Sequence, residues 1–393
     1  MYKYNQGFHR VIYVKIGLVG KTNTGKSTFF KAASLVDVEI SNRIFTTIEA
    51  NKGVTYVTTD CPCNELDVSC DPKNSKCRGG TRLIPVELID VAGLVPGAHE
   101  GKGLGNKFLS DLMEAEGLIH ILDLSGRTDS EGNPVKDHDP EEDIDFLYSE
   151  IDHWIKNLLK ESWEEWKEEQ KRGERELYEN IHRKLTGLGI TEREVKNSIE
   201  GGYDDILELA SNIRKESKPI ILAGNKVDLS NARDNYDRLK EDYDIIPICA
   251  EGELALRKAD RDGLIEYIPG QDHFEIENEM KKDKKEALKF MKEEILDRYG
   301  STGVQDALNR VVFDELNYIA VYPVESKSKY TNGEGDVLPD AYLLEKGSKA
   351  IDLAYAIHSD IGDSFKGAID ARSGEKLGKD SELSHGDVVE ILT

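Results

Sequence analysis

The apolar positions fall into short unbroken runs separated by longer, sparsely apolar stretches. Residues 11–19 (VIYVKIGLV) are rich in β-branched side chains and carry one charge, which predicts a strand buried on both faces. Gly20 to Gly25 interrupts that run, and residues 26–35 are compatible with a helix. Further strands are predicted at 84–89, 118–124, 219–223 and 244–249. Between the first two of these, Phe108, Leu109, Leu112 and Met113 recur at helical spacing within 106–116. Strands alternating with helices predict a parallel α/β sheet.

An insertion breaks this rhythm. From Asp90 to Asn225 there are 135 residues, where two βα units need roughly 60. Ile144, Leu147, Ile151, Trp154, Ile155, Leu158 and Leu159 form one helical stripe, and Leu177, Ile181 and Leu185 a second. Thr191 with Glu194 resembles a capping box opening a third helix. Residues 161–176 between the stripes are almost wholly charged apart from Trp163 and Trp166, which read either as packing inside a hairpin or as a partner-binding surface. A helical hairpin projecting from the sheet domain is expected. Downstream, 277–299 and 304–316 read as helices. They are followed by strands at 319–324 and 341–345, a helix at 349–358, and strands at 364–370 and 388–392. The expected division is a discontinuous sheet domain (1–139 and 216–256), an inserted α-helical domain (140–215), a helical connection (257–315) and a small C-terminal domain (316–393).

Composition narrows the class. The 393 residues are 38% hydrophobic and 33% charged, with no run near the ~18 apolar residues of a spanning helix. Residues 1–10 are polar and form no clean signal peptide. A cytoplasmic monomer with no membrane contact is therefore expected. The formal net charge of −24 argues against binding nucleic acid through a general positive field, although a local basic face around 327–329 or 346–349 is compatible with it.

The chemistry starts at Gly20-Lys21-Thr22-Asn23-Thr24-Gly25-Lys26-Ser27, which fits G-x-x-x-x-G-K-[ST] between a strand and a helix. The glycines let the backbone curl around phosphate oxygens, with successive N–H groups and the helix N-terminus aimed at negative charge. Gly20, Asn23, Thr24, Gly25, Lys26, Ser27 and Thr28 are the candidate phosphate-binding residues, Lys26 for the β- and γ-phosphates and Ser27 for Mg²⁺. Asp90-Val91-Ala92-Gly93 follows a predicted strand; Asp90 is a candidate Mg²⁺ carboxylate and the Gly93 amide a candidate γ-phosphate donor. Asn225-Lys226-Val227-Asp228 follows another. One carboxylate, Asp228, can accept from both N1–H and the exocyclic amino group of guanine, a pair that adenine lacks. Cys249-Ala250-Glu251 is the expected base-side loop, with Cys where Ser is usual. Within Phe45-Thr46-Thr47-Ile48-Glu49, Thr47 rather than Thr46 is expected to complete Mg²⁺ coordination.

Residues 45–49, 90–97 (DVAGLVPG) and 101–108 (GKGLGNKF) resemble the Obg-related GTPases, and more closely their YchF branch. The resemblance extends through 338–342, 350–354, His358 and 385–389 to a C-terminal TGS domain. It implies a P-loop NTPase G domain with a helical insertion and a ubiquitin-like β-grasp domain. It also implies a Mg²⁺-dependent GTPase that hydrolyses GTP to GDP and associates with the ribosome or tRNA. The alternatives are an ATPase of the YchF type and a non-catalytic scaffold ordered by nucleotide. YchF-like chains lose the terminal Asp of the base motif, whereas Asp228 is intact here, which favours GTP. Leu94 stands where Ras-like enzymes carry a water-positioning Gln, so slow intrinsic hydrolysis is expected, with His99 a weak substitute candidate. For this P-loop the resemblance also implies that the Asn23 carbonyl oxygen helps hold K⁺; a local side-chain-to-backbone cap is the alternative.

Four of the five cysteines, Cys61, Cys63, Cys70 and Cys77, lie within seventeen residues in the pattern C-x-C-x6-C-x6-C. A structural Zn²⁺ site, disulfides or free thiols are all compatible with that spacing.

Overall fold

A computed structural model describes residues 13–34, 51–91, 111–129 and 131–393. The expectations at Thr46, Thr47, Gly93, Leu94, His99 and 101–108 lie outside the described residues, as do the first two positions of the opening strand.

The described strands of the larger sheet are β1 (Lys15–Val19), β2 (Lys52–Asp60), β3 (Lys76–Arg78), β4 (Thr81–Asp90), β5 (Gly117–Asp123), β6 (Ile220–Asn225) and β7 (Ile245–Ile248). They run in the order β2-β4-β1-β5-β6-β7, with β3 also pairing β4. From β4 to β7 the sheet is parallel. Its middle strands are buried on both faces, as their unbroken apolar runs require. β2 adds an antiparallel edge, paired with β4 from Lys52↔Ile89 to Asp60↔Thr81. Its sequence, KGVTYVTTD, carries no unbroken apolar run, and its partner across the ladder is what makes it a strand.

Helix α1 (Lys26–Ala33) follows the glycine-rich loop, and α2 (Pro62–Leu66) is a single turn after β2. The insertion contains more helices than the expected hairpin: α3 (Pro140–Lys160), α4 (Trp163–Lys171), α5 (Leu177–Leu185), α6 (Glu192–Glu200) and α7 (Ile206–Ser217). Thr191 and Glu194 form the predicted capping box of α6. Trp166 is buried in this bundle and Trp163 stands edge-on to Tyr203 at 6.2 Å, so both tryptophans serve packing. Leu147, Ile151 and Ile155 of α3 pack with Val19, Ile89 and Leu118, joining the bundle to the sheet.

Helix α8 (Ser230–Leu239) joins β6 to β7, and beyond β7 come α9 (Ala250–Arg261) and a two-stranded hairpin of β8 (Ile265–Glu266) and β9 (Glu275–Ile276). That hairpin sits where only helix was expected; two residues per strand leave no periodicity to read. α10 (Lys282–Met291) continues through a π-helical turn at Lys292–Leu296 and stops at Gly300, and α11 (Val304–Asn309) does likewise through Arg310–Glu315.

The C-terminal sheet has the order β11-β10-β14-β12-β13, from β10 (Tyr318–Val324), β11 (Tyr342–Glu345), β12 (Gly367–Asp370), β13 (Lys376–Leu377) and β14 (Val388–Leu392). Helices α12 (Ala350–Ile357) and α13 (Ser359–Asp363) precede β12, and Leu353 packs with Ile319, Val321 and Val389. The opposite face of β10, through Tyr322 and Val324, shares one core with Val57 and Ile84 of the larger sheet. Among the described residues, no helix is long and apolar enough to cross a membrane.

His120 lies inside β5, and burial with the nearby Lys21 charge pushes its imidazole down to about 3. The folded chain keeps it neutral, while the unfolded chain takes up a proton below about 6.5. Folding stability is therefore lost as pH falls from about 6.5 toward 3. His120→Leu is expected to flatten this slope by up to about 1.4 kcal/mol per pH unit. Urea midpoints of both proteins across that window check it, and parallel acid profiles would refute it.

Candidate nucleotide site

The ends of β1, β4, β6 and β7 meet at one edge of the sheet, where parallel strands commonly present their functional loops. Gly20 leaves β1 at φ +150° and Asn23 and Gly25 take positive φ of 65° and 99°, giving the loop its curl. Gly25 admits no substitute: a Cβ there would lie 2.1 Å from the Asn225 Nδ2. Among the described residues no side chain caps α1, and its first turn holds no acidic residue. The N–H groups at this end are thus left for an anion. Lys26 Nζ pairs directly with Asp90 Oδ1, which brings the phosphate-binding ammonium and the candidate Mg²⁺ carboxylate to one point. Ser27, the next residue, is exposed beside them, and Thr28 is half-buried.

The base motif is tied to this loop by hydrogen bonds. The buried Asn225 donates through Nδ2 to the Thr24 carbonyl at 2.8 Å and accepts the Ala250 N–H on Oδ1 at 3.2 Å. Lys226, at φ +71°, donates from Nζ to the Asn23 carbonyl at 2.9 Å. Asp228 is half-buried, and its Oδ1 accepts the thiol of Cys249 at 3.5 Å. Burial, reinforced by the Asp228 charge, pushes the Cys249 thiol up, so it stays protonated and able to donate. The cysteine does what a serine hydroxyl would do here. Glu251 is exposed at the start of α9.

Sequence reasoning missed three groups that hold the site. Asp123, fully buried at the end of β5, ion-pairs with Lys226 Nζ at 2.9 Å and accepts from the Ser125 and Thr128 hydroxyls. Burial alone would raise its carboxyl, but the bonds from Ser125, Lys226 and Thr128 outweigh that and keep it below the usual range. Lys21, 4% exposed, donates to the Thr128 carbonyl at 2.6 Å and pairs with Asp143 of α3 at 2.7 Å. His138 Nε2 lies 2.9 Å from the other Asp143 oxygen. Finally, Glu131 and Gly132 lie against the phosphate loop. Thr22 donates to the Glu131 carbonyl and Asn23 Nδ2 to that of Gly132, both at 3.0 Å. Gly132 has φ +84°, and a Cβ would fall 1.6 Å from Thr22 Oγ1. The only forewarning was an aspartate and a lysine inside otherwise apolar or loop sequence. The local cap considered for Asn23 is replaced by a partner 109 residues away.

The cysteines form a separate group. Cys61, Cys63, Cys70 and Cys77 are brought together at the far end of β2 and β4, remote in the chain from the phosphate loop, with all four sulfurs within 4.8 Å of one another.

Comparison with known proteins agrees with this geometry. A family model described as "50S ribosome-binding GTPase" matches residues 15–166. A second, "Obg-like GTPase YGR210-like, G4 motif-containing domain", matches 223–326, and the TGS domain matches 334–393. An uncharacterized GTP-binding protein of Methanocaldococcus jannaschii is 46% identical over 391 residues, covering 96% of this chain and 98% of the relative. The crystal structure of a GTP binding protein from Pyrococcus horikoshii OT3 is 40% identical, with a TM-score of 0.75 over 97% of this chain and 100% of that one. The Schizosaccharomyces pombe YchF GTPase, at 19% identity, a TM-score of 0.58 and coverage of 97% and 98%, shares the fold.

Proposed function

The chain belongs to the Obg-like, YchF-related GTPases, and from that premise we propose that it is a Mg²⁺-dependent GTPase cycling between GTP and GDP. The observation that carries this reading is Asp228, intact and held by Cys249, on a base motif bonded to the phosphate loop through Asn225. Its carboxylate would accept two guanine N–H donors; adenine would leave it unpaired, which is costly in a partly buried site. Lys26 would serve the β- and γ-phosphates together with the loop N–H groups. Ser27 and Asp90 are hard oxygen donors and suit Mg²⁺, with Thr47 proposed as a further ligand and the Gly93 amide as a γ-phosphate donor. Bound there, Mg²⁺ would neutralise charge on the phosphates during in-line attack by water.

Asn23 is proposed as a K⁺ ligand. Its Nδ2 end is engaged by the Gly132 carbonyl, which leaves the amide oxygen as the end available to a cation. A monovalent cation between β- and γ-oxygens would offset the lack of a polar side chain at Leu94, as an arginine finger does elsewhere. The TGS match and the ribosome-binding description of the first family model support association with ribosome or tRNA, and the switch is proposed to act as a cytoplasmic monomer. Lys329 and Lys346 are exposed on the C-terminal domain and available to RNA phosphates.

Three outcomes are expected. GTP outcompetes ATP at equal concentration, and Asp228→Asn loses roughly a hundredfold or more in GTP affinity while gaining affinity for xanthine nucleotide. Retained GTP preference in that variant, or ATP preference in the wild type, would overturn the base assignment. GTP hydrolysis is faster in K⁺ than in Na⁺ at matched ionic strength, and Asn23→Ala erases the difference without losing Mg²⁺·GTP binding. Equal rates in the two salts would remove K⁺. The chain co-sediments with ribosomes in a non-hydrolysable GTP analogue more than in GDP; equal pelleting would leave it without that nucleotide-controlled role.

A further inference from the structure

The four-cysteine group has the shape of a metal site and sits at the junction of the two sheets. Cys61 follows β2, Cys63 lies in α2, Cys70 in the loop beyond, and Cys77 in the middle of β3. Cys61 and Cys70 sulfurs are 4.0 Å apart and those of Cys63 and Cys77 3.8 Å apart. An ion with four thiolates at about 2.3 Å places its ligands about 3.8 Å from each other along every edge of the tetrahedron. Two disulfides would instead draw two pairs to about 2.05 Å. All four thiols are free here, and their mutual spacing fits one shared ion. Backbone bonds hold the arrangement: Cys61 N–H to the Gly80 carbonyl at 2.8 Å, and Val68 N–H to the Cys63 carbonyl at 3.2 Å.

The segment between Cys70 and Cys77 touches the C-terminal domain. Asp71 N–H donates to the Val337 carbonyl at 2.8 Å and Lys73 N–H to that of Pro339 at 2.6 Å. Asn74 exchanges two hydrogen bonds with the Ala341 backbone, at 3.0 and 2.9 Å, and Lys73 pairs with Asp336 at 2.9 Å. Arg82, opposite Cys77 in the β3–β4 ladder and fully buried, reaches Ser75 Oγ at 3.1 Å and the Leu338 carbonyl at 2.7 Å. Its Nε has no hydrogen-bond partner among the described residues, and its guanidinium lies over the Tyr322 ring at 5.2 Å. The docking loop, DPKNSK, has no apolar side chain except proline, so it cannot fix its own shape by burial.

We propose that Cys61, Cys63, Cys70 and Cys77 bind Zn²⁺ and that the metal clips the C-terminal domain onto the β2–β4 edge of the larger sheet. Loading exchanges four thiol protons for one Zn²⁺ and leaves a site of net charge −2, which the buried Arg82 guanidinium partly offsets. The metal closes the loop at both ends, and between them the loop makes four hydrogen bonds to the backbone of 337–341, two from its own backbone and two through the Asn74 side chain. The inference stands on the sulfur geometry and these bonds, independently of which nucleotide the phosphate loop takes.

The full chain, purified without chelators, is expected to carry about one zinc, released by a mercurial reagent and taken up again on adding Zn²⁺. Co²⁺ in its place should give the visible absorption of a tetrahedral thiolate site. Removing zinc from the wild type should speed amide exchange in peptides spanning 71–75 and 336–341 by about tenfold or more, with the 15–33 peptide unchanged. Cys70→Ser with Cys77→Ser should lose the zinc; should that variant misfold, reversible chelation of the wild type gives the same readout. Absence of zinc with thiols oxidised in pairs overturns the site in favour of disulfides. Free thiols that refuse added Zn²⁺ overturn it outright, retained iron overturns the identity of the ion, and unchanged exchange at Asp71 and Lys73 in the zinc-free chain overturns the clip.

Discussion

A buried side-chain amide can satisfy one carbonyl and one N–H only when both are presented to it at fixed positions. Asn225 is in that situation, with Thr24 on one side and Ala250 on the other. Loss of either contact would leave a buried polar group unpaired, at a cost of about 1–3 kcal/mol. The phosphate loop, the base motif and the start of α9 are thereby held to one geometry. The close approach explains Gly25, whose missing Cβ makes room for the amide and whose own backbone is left-handed at φ +99°.

Around that amide the chain arranges charges in buried or half-buried pairs. Lys226 bridges the Asn23 carbonyl and the buried Asp123, while Lys21 is sunk between the Thr128 carbonyl and Asp143. Removing one partner of such a pair is more damaging than never having built it, because the other charge is left in a low-dielectric setting. Their value is positional. Lys21 and Asp143 link the phosphate loop to the first inserted helix, so the helical bundle and the nucleotide edge of the sheet are mechanically continuous.

The C-terminal sheet is joined to the rest by a shared apolar core and by a polar seam. Tyr322, Val324 and Leu338 are buried with Val57, Ile84 and Val86, whereas Asp71, Lys73 and Asn74 meet the backbone of 337–341 through hydrogen bonds, those of Asn74 made by its side chain. Burial supplies attraction without direction; the seam supplies direction. A docking loop whose only apolar side chain is a proline needs an outside constraint, and the cysteines bracketing it are in position to give one.

The nucleotide loop and the parallel strands were legible in the chain because each depends on neighbours in sequence. A run such as KIGLV is buried whatever surrounds it, and the G-x-x-x-x-G-K-S spacing dictates a curl before a helix. Thr and Lys in β2, and Asn, Ser and Lys in the docking loop, carry no such local instruction. Strand β2 exists because β4 offers an antiparallel ladder, and two-residue strands such as β8 and β9 have no period at all. The four cysteines announced a cluster, but that their sulfurs lie within 4.8 Å of one another depends on β3 folding back against β4. Asp123, Lys21 and Asn23 find partners 103, 122 and 109 residues away in Lys226, Asp143 and Gly132. Sequence alone determined which chemistry the chain carries; the tertiary structure decided which groups hold it in place, because ion pairs and side-chain amides act across space and leave no period along the chain.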